Sequence, residues 1–233
     1  MASQKALVVG AAGGMGSAIS NSLAARGYDL ALMGRNENKL NELVEACSAT
    51  STNCFSVVCD IAKTENIESE VAQLIDRLGG LNVLINCAGA HGNYAAHNVD
   101  PEVADEMVDT NIKAHYHLVR HCVPEINKQS GGAVIKIGSV RACYPGSTAY
   151  LITTLGLDGF SEGLFEDVRE FGTKVCTIKP GYVNTPLVES DNVNPDLMIQ
   201  PEDIAHTVQY VLSMPDTACP NEITILPQRS PYT

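Results

Sequence analysis

Short apolar runs alternate along the chain with longer segments in which apolar residues recur every three or four positions. The first pattern is typical of buried strands and the second of amphipathic helices. The predicted strands are residues 6–9, 29–33, 54–59, 83–86, 133–137, 174–178 and 222–226, and the predicted helices are 15–26, 37–46, 66–78, 101–128, 147–171 and 201–212. This alternation predicts an α/β fold: one Rossmann-type, doubly wound sheet of seven parallel strands with helices on both faces.

The chain has 233 residues, a length compatible with one α/β domain that spans residues 1–233. Residues 1–5 lead directly into a strand pattern without a secretory signal, and no apolar run approaches the roughly 18 residues of a membrane span. The net charge is −12 and no Lys/Arg cluster is present, so we expect no nucleic-acid partner. The eight cysteines include no Cys-x-x-Cys pair and are expected to be reduced. These features indicate a soluble cytoplasmic protein with no membrane partner.

A glycine-rich turn, Gly10-Ala11-Ala12-Gly13-Gly14-Met15-Gly16, joins the first predicted strand to the first helix. Glycine there lets the backbone turn sharply and approach a pyrophosphate, whose charge the helix N-terminus stabilises. Further motifs follow on successive elements. They are Cys59-Asp60, Asn86-Cys87-Ala88-Gly89, Asn111, Ser139 eleven residues before Tyr150, and Pro180-Gly181-Tyr182-Val183-Asn184-Thr185.

In this order, the motifs resemble those of the short-chain dehydrogenase/reductase family over essentially the whole chain. Val9 stands where the family usually has threonine before the glycine turn. The resemblance implies Tyr150 as proton donor or acceptor, Ser139 as the partner of the substrate oxygen and Asn111 as the support of a water relay. It also implies a nicotinamide cofactor, a small-molecule carbonyl or alcohol substrate and a homodimer or homotetramer. The implied cofactor-binding residues are Gly10, Gly14, Met15, Gly16, Arg35, Asp60, Asn86, Ala88, Gly89, Tyr150, Pro180, Gly181, Val183 and Thr185.

Arg35 follows the second predicted strand, where a site for NAD(H) usually has a carboxylate that binds the ribose hydroxyls. A guanidinium suits a 2′-phosphate instead. Arg35 therefore favours NADP(H), with NAD(H) as the alternative.

Thr154 stands four residues after Tyr150, where the family has a lysine in its Tyr-x-x-x-Lys element. The family's lysine binds the nicotinamide ribose and makes the tyrosine more acidic. A unit charge about 4 Å away at an effective dielectric constant of about 20 contributes roughly 4 kcal/mol, or up to about three pKa units. Thr154 supplies no charge, although its hydroxyl can bond a ribose hydroxyl. We therefore expect cofactor binding to survive better than catalysis.

Three other lysines are candidates to replace this charge. Strand alternation, extended from Lys136 to Ser139, predicts that these side chains lie on opposite faces of the sheet. Lys113 is two residues beyond Asn111 on a predicted helix and points largely away from it. Lys179, directly before Pro180, is the best-placed alternative.

Loops after the fourth, fifth and sixth strands contribute polar residues to the expected carbonyl site, but they do not identify the substrate. These residues are His91, Asn93, Tyr94, Arg141, Tyr144 and Tyr182. His117 and His121 have a spacing compatible with two metal ligands, yet no third ligand is evident, so no metal is expected. The leading hypothesis is an NADP(H)-dependent oxidoreductase with reduced activity. Its rivals are a nicotinamide-binding sensor or assembly partner, and an active enzyme into which Thr154 was introduced.

Overall fold

One parallel sheet forms the centre of the fold. The computed structural model describes residues 3–50, 53–129, 131–140, 146–186 and 192–232. The strands are β1 (Lys5–Val9), β2 (Asp29–Gly34), β3 (Cys54–Val58), β4 (Val83–Asn86), β5 (Ala133–Ile137), β6 (Lys174–Pro180) and β7 (Glu222–Ile225). Their order is β3-β2-β1-β4-β5-β6-β7, and every neighbouring pair is parallel. The predicted seven-stranded sheet is confirmed, with each strand end within two residues of its prediction.

Helices cover both faces of this sheet. They are α1 (Gly14–Ala24), α2 (Glu37–Ser48), α3 (Ile67–Leu78), α4 (Pro101–Val108), α5 (Ala114–Ile126), α6 (Thr148–Val168) and α7 (Pro201–Ser213). Helices α1, α2 and α7 pack against one face through buried residues such as Leu23, Leu40 and Val208. Residues of α3, α5 and α6, including Leu118 and Leu164, pack against the other face. The doubly wound architecture follows from these two apolar layers.

The prediction of one continuous helix over residues 101–128 is wrong. A π-helical turn, Asp109–Lys113, separates α4 from α5. A π turn closes its hydrogen bonds one residue later than an α-helix and therefore inserts an extra residue without breaking the rod. The predicted helix 147–171 likewise ends in a 3₁₀ turn, Arg169–Phe171, before Gly172 at φ 74°. Both deviations change the hydrogen-bond ladder while leaving the apolar periodicity intact.

Other sequence expectations concern segments around the sheet. The predicted irregular segment 183–200 contains a 3₁₀ turn, Pro195–Leu197, and a bridge between Val183 and Ile199, while residues 187–191 lie outside the described part. The seven cysteines of the described chain are free thiols. Within the same residues, no helix combines the length and the apolar character needed to cross a membrane.

Candidate functional site

A cavity of about 510 Å³ lies at the carboxyl ends of β1, β2, β3 and β4. Strand order reverses around β1, so this is the crevice in which open α/β sheets bind ligands. Nine predicted cofactor-binding residues line it: Gly10, Gly14, Met15, Gly16, Arg35, Asp60, Ala88, Gly89 and Thr185. The remaining five, Asn86, Tyr150, Pro180, Gly181 and Val183, are not among its lining residues.

The glycine turn needs its glycines for both conformation and space. Gly10 has φ 75°, and a Cβ atom there would lie 2.7 Å from the backbone nitrogen of Ala88. At Gly14, the first residue of α1, a Cβ would lie 2.8 Å from Cγ2 of Thr185, and at Gly16 it would collide with the Gly10 carbonyl oxygen. Helix α1 has neither a side-chain cap nor an acidic residue in its first turn, so its N-terminal N–H groups can bind an anion. The turn therefore fits the phosphates of a dinucleotide.

Two cations line the cavity where β2 leads into α2. Arg35 is the first residue beyond β2, and Lys39 lies in the first turn of α2. Asn36 caps this helix because its Oδ1 accepts a hydrogen bond from the Lys39 backbone nitrogen at 3.0 Å. The sequence does not predict Lys39 as a binding residue, because its only signal is its place four residues beyond Arg35. Both side chains can bind a phosphate group.

Asp60, which also lines the cavity, follows β3 and accepts a hydrogen bond from the backbone nitrogen of Ala62 at 3.3 Å. This bond orients one carboxylate oxygen toward its own loop. Asp60 is the one acidic residue among the described lining residues.

Asn86 supports the cavity wall, because its side chain bonds the backbone of Ala88, which lines the cavity. Its Oδ1 accepts a hydrogen bond from the Ala88 backbone nitrogen at 3.0 Å, while its Nδ2 lies 3.1 Å from Nδ1 of His115. Burial, together with the charge of Lys136, lowers the pKa of His115 to about 3. His115 is therefore neutral near pH 7, and its Nδ1 can accept the hydrogen bond from Asn86. The structure thus assigns the Asn86 side chain a role in holding the end of β4.

Asn111 lies in the π turn and joins two segments of the site. Its Oδ1 accepts a hydrogen bond from the Ala90 backbone nitrogen at 2.7 Å, and its Nδ2 donates to the Ala90 carbonyl at 2.9 Å. The same Nδ2 group lies 3.0 Å from Thr153 Oγ1, which donates to the Tyr150 carbonyl at 2.8 Å. Asn111 therefore ties the loop after β4 to the first turns of α6. A π turn re-aims side chains in this way and is frequent at functional sites.

Tyr150 lies in the first turn of α6 and is partly buried. Its ring packs edge-on against His91, with 4.7 Å between the ring centroids. Burial lowers the pKa of His91, so this neighbour favours its neutral form near pH 7. Ser139 lies two residues beyond β5, and its hydroxyl donates to the Val140 carbonyl at 3.4 Å.

Thr154 follows Tyr150 by one helical turn and is 6% exposed. Its hydroxyl donates a hydrogen bond to the Leu151 carbonyl at 3.0 Å. This bond uses the hydroxyl proton within the helix, so the oxygen can act toward the cleft only as an acceptor. The side chain contributes no charge beside Tyr150.

The three candidate replacement lysines have different surroundings. Lys113 is exposed and pairs with Asp109 at 2.6 Å. Lys179 is buried and pairs with Asp158 at 2.8 Å and with Glu222 at 2.6 Å. Burial works to lower the pKa of Lys179, but the bonds from these two carboxylates outweigh it and raise the pKa. Lys179 therefore stays charged, while its partners neutralise that charge locally.

Lys136 is also buried, and its Nζ donates to the Ala88 carbonyl at 2.6 Å. Strand alternation does not extend from Lys136 to Ser139, because β5 ends at Ile137 and Ser139 lies beyond the strand. Burial lowers the pKa of Lys136 to about 8.

Among the described residues of the segment after β6, Thr185 and Pro186 line the cavity. Pro180 is the last residue of β6, and the Gly181 N–H donates to the Ile225 carbonyl at 2.8 Å. Val183 is buried and pairs with Ile199. These residues anchor the segment that carries Thr185.

The structure bears on only some of the expected substrate-site residues. Tyr182 packs edge-on against Tyr232, with 5.4 Å between the ring centroids. Arg141 and Tyr144 lie outside the described residues.

The rings of His117 and His121 stack with centroids 6.5 Å apart. No group of three potential metal ligands occurs in the described ranges.

Comparison with known proteins identifies relatives along most of the chain. The model of the short chain dehydrogenase family matches residues 4–196. An uncharacterized oxidoreductase of Staphylococcus epidermidis is 32% identical over 224 residues, which cover 95% of this chain and 96% of the relative. An uncharacterized oxidoreductase of Staphylococcus aureus is 31% identical with the same coverage.

Solved structures show the same fold. Serine dehydrogenase from Escherichia coli has a TM-score of 0.82 at 27% identity, covering 95% of this chain and 97% of that one. A metagenomic short-chain oxidoreductase in complex with NADP has a TM-score of 0.84 at 25% identity, covering 97% and 98%.

Proposed function

The chain belongs to the short-chain dehydrogenase family, and we propose that it is an NADP(H)-dependent oxidoreductase that acts on a small-molecule carbonyl or alcohol. The observation that carries this proposal is the cavity at the carboxyl ends of the strands, which is lined by the glycine turn and by Arg35 and Lys39. Both chemical requirements of a phosphorylated dinucleotide, close backbone approach and cationic side chains, are met there.

The preference for NADP(H) over NAD(H) rests on charge. No carboxylate stands at the end of β2, and Arg35 and Lys39 offer two cations for a 2′-phosphate. The NADP complex of the metagenomic relative supports the same choice. NAD(H) remains the alternative cofactor, since the glycine turn binds the pyrophosphate common to both.

The proposed catalytic residues divide the work of proton transfer. When bound, the nicotinamide supplies or accepts a hydride. Tyr150 donates its hydroxyl proton to the substrate oxygen during reduction and accepts that proton during oxidation. Ser139 donates a hydrogen bond that holds the same oxygen. Asn111 bonds both the loop after β4 and α6, and these bonds keep Tyr150 in position. It also supports a water relay.

Thr154 occupies the position at which the resemblance to the family implies a lysine. Without that charge, the Tyr150 hydroxyl loses up to about three pKa units of acidification. We propose reduced turnover with cofactor binding retained. This same feature favours the second candidate function, a nicotinamide-binding sensor or assembly partner with little catalysis.

The surroundings of the site complete the proposal. We propose one domain over residues 1–233, a cytoplasmic location and a homodimer or homotetramer. Three apolar side chains on α5 and α6 are exposed: Tyr116, Ile152 and Leu155. They support the oligomer, because a second copy of the chain would cover them.

Thermal unfolding with and without cofactor tests the binding part of the proposal. NADPH at about 100 times its Kd should stabilise the native state by about 2.7 kcal/mol, and NADH at the same concentration by less. The absence of stabilisation by either cofactor would contradict both candidate functions.

NADPH oxidation with a panel of aldehydes and ketones then separates the two candidates. Slow, carbonyl-dependent oxidation that disappears in Tyr150→Phe is the result expected of the oxidoreductase. Stabilisation by NADPH without oxidation of NADPH, in this chain and in Thr154→Lys, would favour the sensor.

A further inference from the structure

Backbone pairing closes the base of the segment between β6 and α7. A parallel bridge joins Val183 to Ile199. The Asn184 N–H donates to the Ile199 carbonyl at 2.8 Å, and the Ile199 N–H donates to the Tyr182 carbonyl at 3.0 Å. These contacts fix the two ends of the segment relative to each other.

Thr185, two residues beyond Val183, packs against the glycine turn. A Cβ atom added at Gly14 would lie 2.8 Å from Cγ2 of Thr185 and 3.3 Å from its Cβ. Gly14 is the first residue of α1, a helix whose N-terminal N–H groups have no side-chain cap. In the proposed function these N–H groups bind the cofactor's phosphates. A cofactor bound there lies beside Thr185, so its release should be faster when Thr185 can move away.

Two residues that follow β7, Pro231 and Tyr232, pair with the outer part of the same segment. The Asn194 N–H donates to the Pro231 carbonyl at 2.7 Å, and an antiparallel bridge joins Val193 to Tyr232. Pro231 is buried, and a hydrogen bond in such surroundings is stronger than one exposed to water. We call Pro231 and Tyr232 the clasp.

The ring of Tyr232 contacts the other side of the segment. It packs edge-on against the ring of Tyr182, with 5.4 Å between the centroids and 80° between the ring planes. Tyr182 precedes Thr185 in the chain and Val193 follows it, so Tyr232 contacts the segment on both sides of Thr185. Tyr232 is also 61% exposed, so its substitution should cost the core little.

We propose that Pro231 and Tyr232 are positioning residues, which hold the segment that carries Thr185 against the glycine turn and thereby slow the release of NADPH. The inference rests on the proposed function, in which the turn binds the cofactor's phosphates. An edge-to-face aromatic pair changes an equilibrium by about 2- to 10-fold. Because the pair of rings separates when the segment moves away, loss of the pair should speed release by this factor without abolishing binding.

Hydrogen exchange separates the clasp from the base, because each binds a different backbone N–H. The Ile199 N–H is bonded within the base, whereas the Asn194 N–H is bonded to the clasp. In Tyr232→Ala, exchange at Asn194 should be about 2- to 10-fold faster than in the parent, while exchange at Ile199 stays nearly unchanged. This measurement needs no cofactor.

Stopped-flow displacement of bound NADPH by excess NADP⁺, followed by NADPH fluorescence, tests the proposal directly. Tyr232→Ala should raise the dissociation rate by about 2- to 10-fold. Tyr232→Phe retains the ring contact and should release NADPH at nearly the parent rate. The matched control is Tyr210→Ala, which removes a tyrosine of α7 that is 53% exposed and should leave the rate unchanged.

A double variant tests whether the ring pair is the source of the effect. Tyr182→Ala combined with Tyr232→Ala should release NADPH no faster than the faster of the two single variants, because both substitutions remove the same contact. The melting temperature of Tyr232→Ala without cofactor should match that of Tyr210→Ala, so that a general loss of stability does not explain the faster release.

Equal dissociation rates in Tyr232→Ala and Tyr210→Ala would overturn the proposal, as would the same change in exchange at Asn194 and Ile199. Tyr232→Leu, which keeps an apolar side chain without a ring, takes the place of Tyr232→Ala if the latter does not fold. Failure of the parent to bind NADPH would refute the proposed function and this inference together. Binding with an unchanged release rate would refute the inference alone.

Discussion

The two ends of the cleft depend on different parts of the chain. Near β1 and β2, the cavity is formed by close backbone approaches at Gly10 and Gly16, with cationic side chains at its rim. Beyond this cavity, the region near β5 and α6 depends on buried polar side chains such as Asn111 and Lys136. In the proposed function, the backbone site tolerates Val9 in place of the family's usual threonine, whereas Thr154 in place of a lysine weakens the side-chain site. Binding and catalysis can therefore change independently in this fold.

The strongest test of this separation removes the proposed proton donor alone. Tyr150→Phe should lower kcat/KM by about 10²- to 10⁴-fold, because general acid catalysis contributes that much. The Kd for NADPH should change little, since Tyr150 does not line the cavity. Steady-state kinetics and NADPH fluorescence titration measure the two quantities. A comparable loss in both would show that the two ends are not separable.

A glycine substitution tests the backbone end. Gly10→Ala places a side chain at φ 75° and a Cβ 2.7 Å from the Ala88 nitrogen, so it should weaken NADPH binding by roughly 10²-fold through displaced backbone. Gly27→Ala is a matched control because φ is 79° there but nothing lies within 4 Å of the added Cβ.

Both variants should lose about 1–2 kcal/mol of unfolding free energy from the left-handed conformation. Only Gly10→Ala should also lose affinity. Equal NADPH affinities for the two variants, measured by calorimetry, would contradict the close approach between the turn and β4.

Charge at the rim of the cavity should set the choice of cofactor. Arg35→Ser removes a charge-assisted hydrogen bond to a 2′-phosphate, so NADPH should bind about 10-fold more weakly while NADH affinity stays nearly unchanged. Lys39→Gln should act in the same direction. Parallel weakening of NADPH and NADH in both variants would show that these residues bind a part common to the two cofactors.

A smaller effect is expected from Lys136 in the pH dependence of the free energy of unfolding. The pKa of Lys136 is lowered from 10.5 to about 8 by burial, so between these values the unfolded chain binds the additional proton. Stability from this group therefore rises with pH across that window, by up to about 1.4 kcal/mol per pH unit. Denaturant unfolding from pH 7.5 to 9.5 should show this slope relative to Lys136→Met. Parallel profiles for the two proteins would mean that Lys136 has an ordinary pKa.

Much of the fold could be predicted from the sequence because buried strands and amphipathic helices leave a periodic signal. The π turn at Asp109–Lys113 leaves none, since one extra residue in the hydrogen-bond ladder requires neither glycine nor proline. The motif residues that line the cavity were predictable because they stand at strand ends. Lys39 and the contact between Lys136 and Ala88 were not, because each depends on which elements become neighbours in space.

Paired measurements on Thr154→Lys test the central claim, that this chain has a working cofactor cleft with a weakened proton donor. The variant should bind NADPH at least as tightly as the parent, because Thr154 is absent from the cavity lining and a lysine at this position can also bond the nicotinamide ribose. Its turnover with a reducible carbonyl should rise by about tenfold or more, because a charge close to Tyr150 is worth one or more pKa units. Unchanged turnover in a folded variant that still binds NADPH would contradict the account.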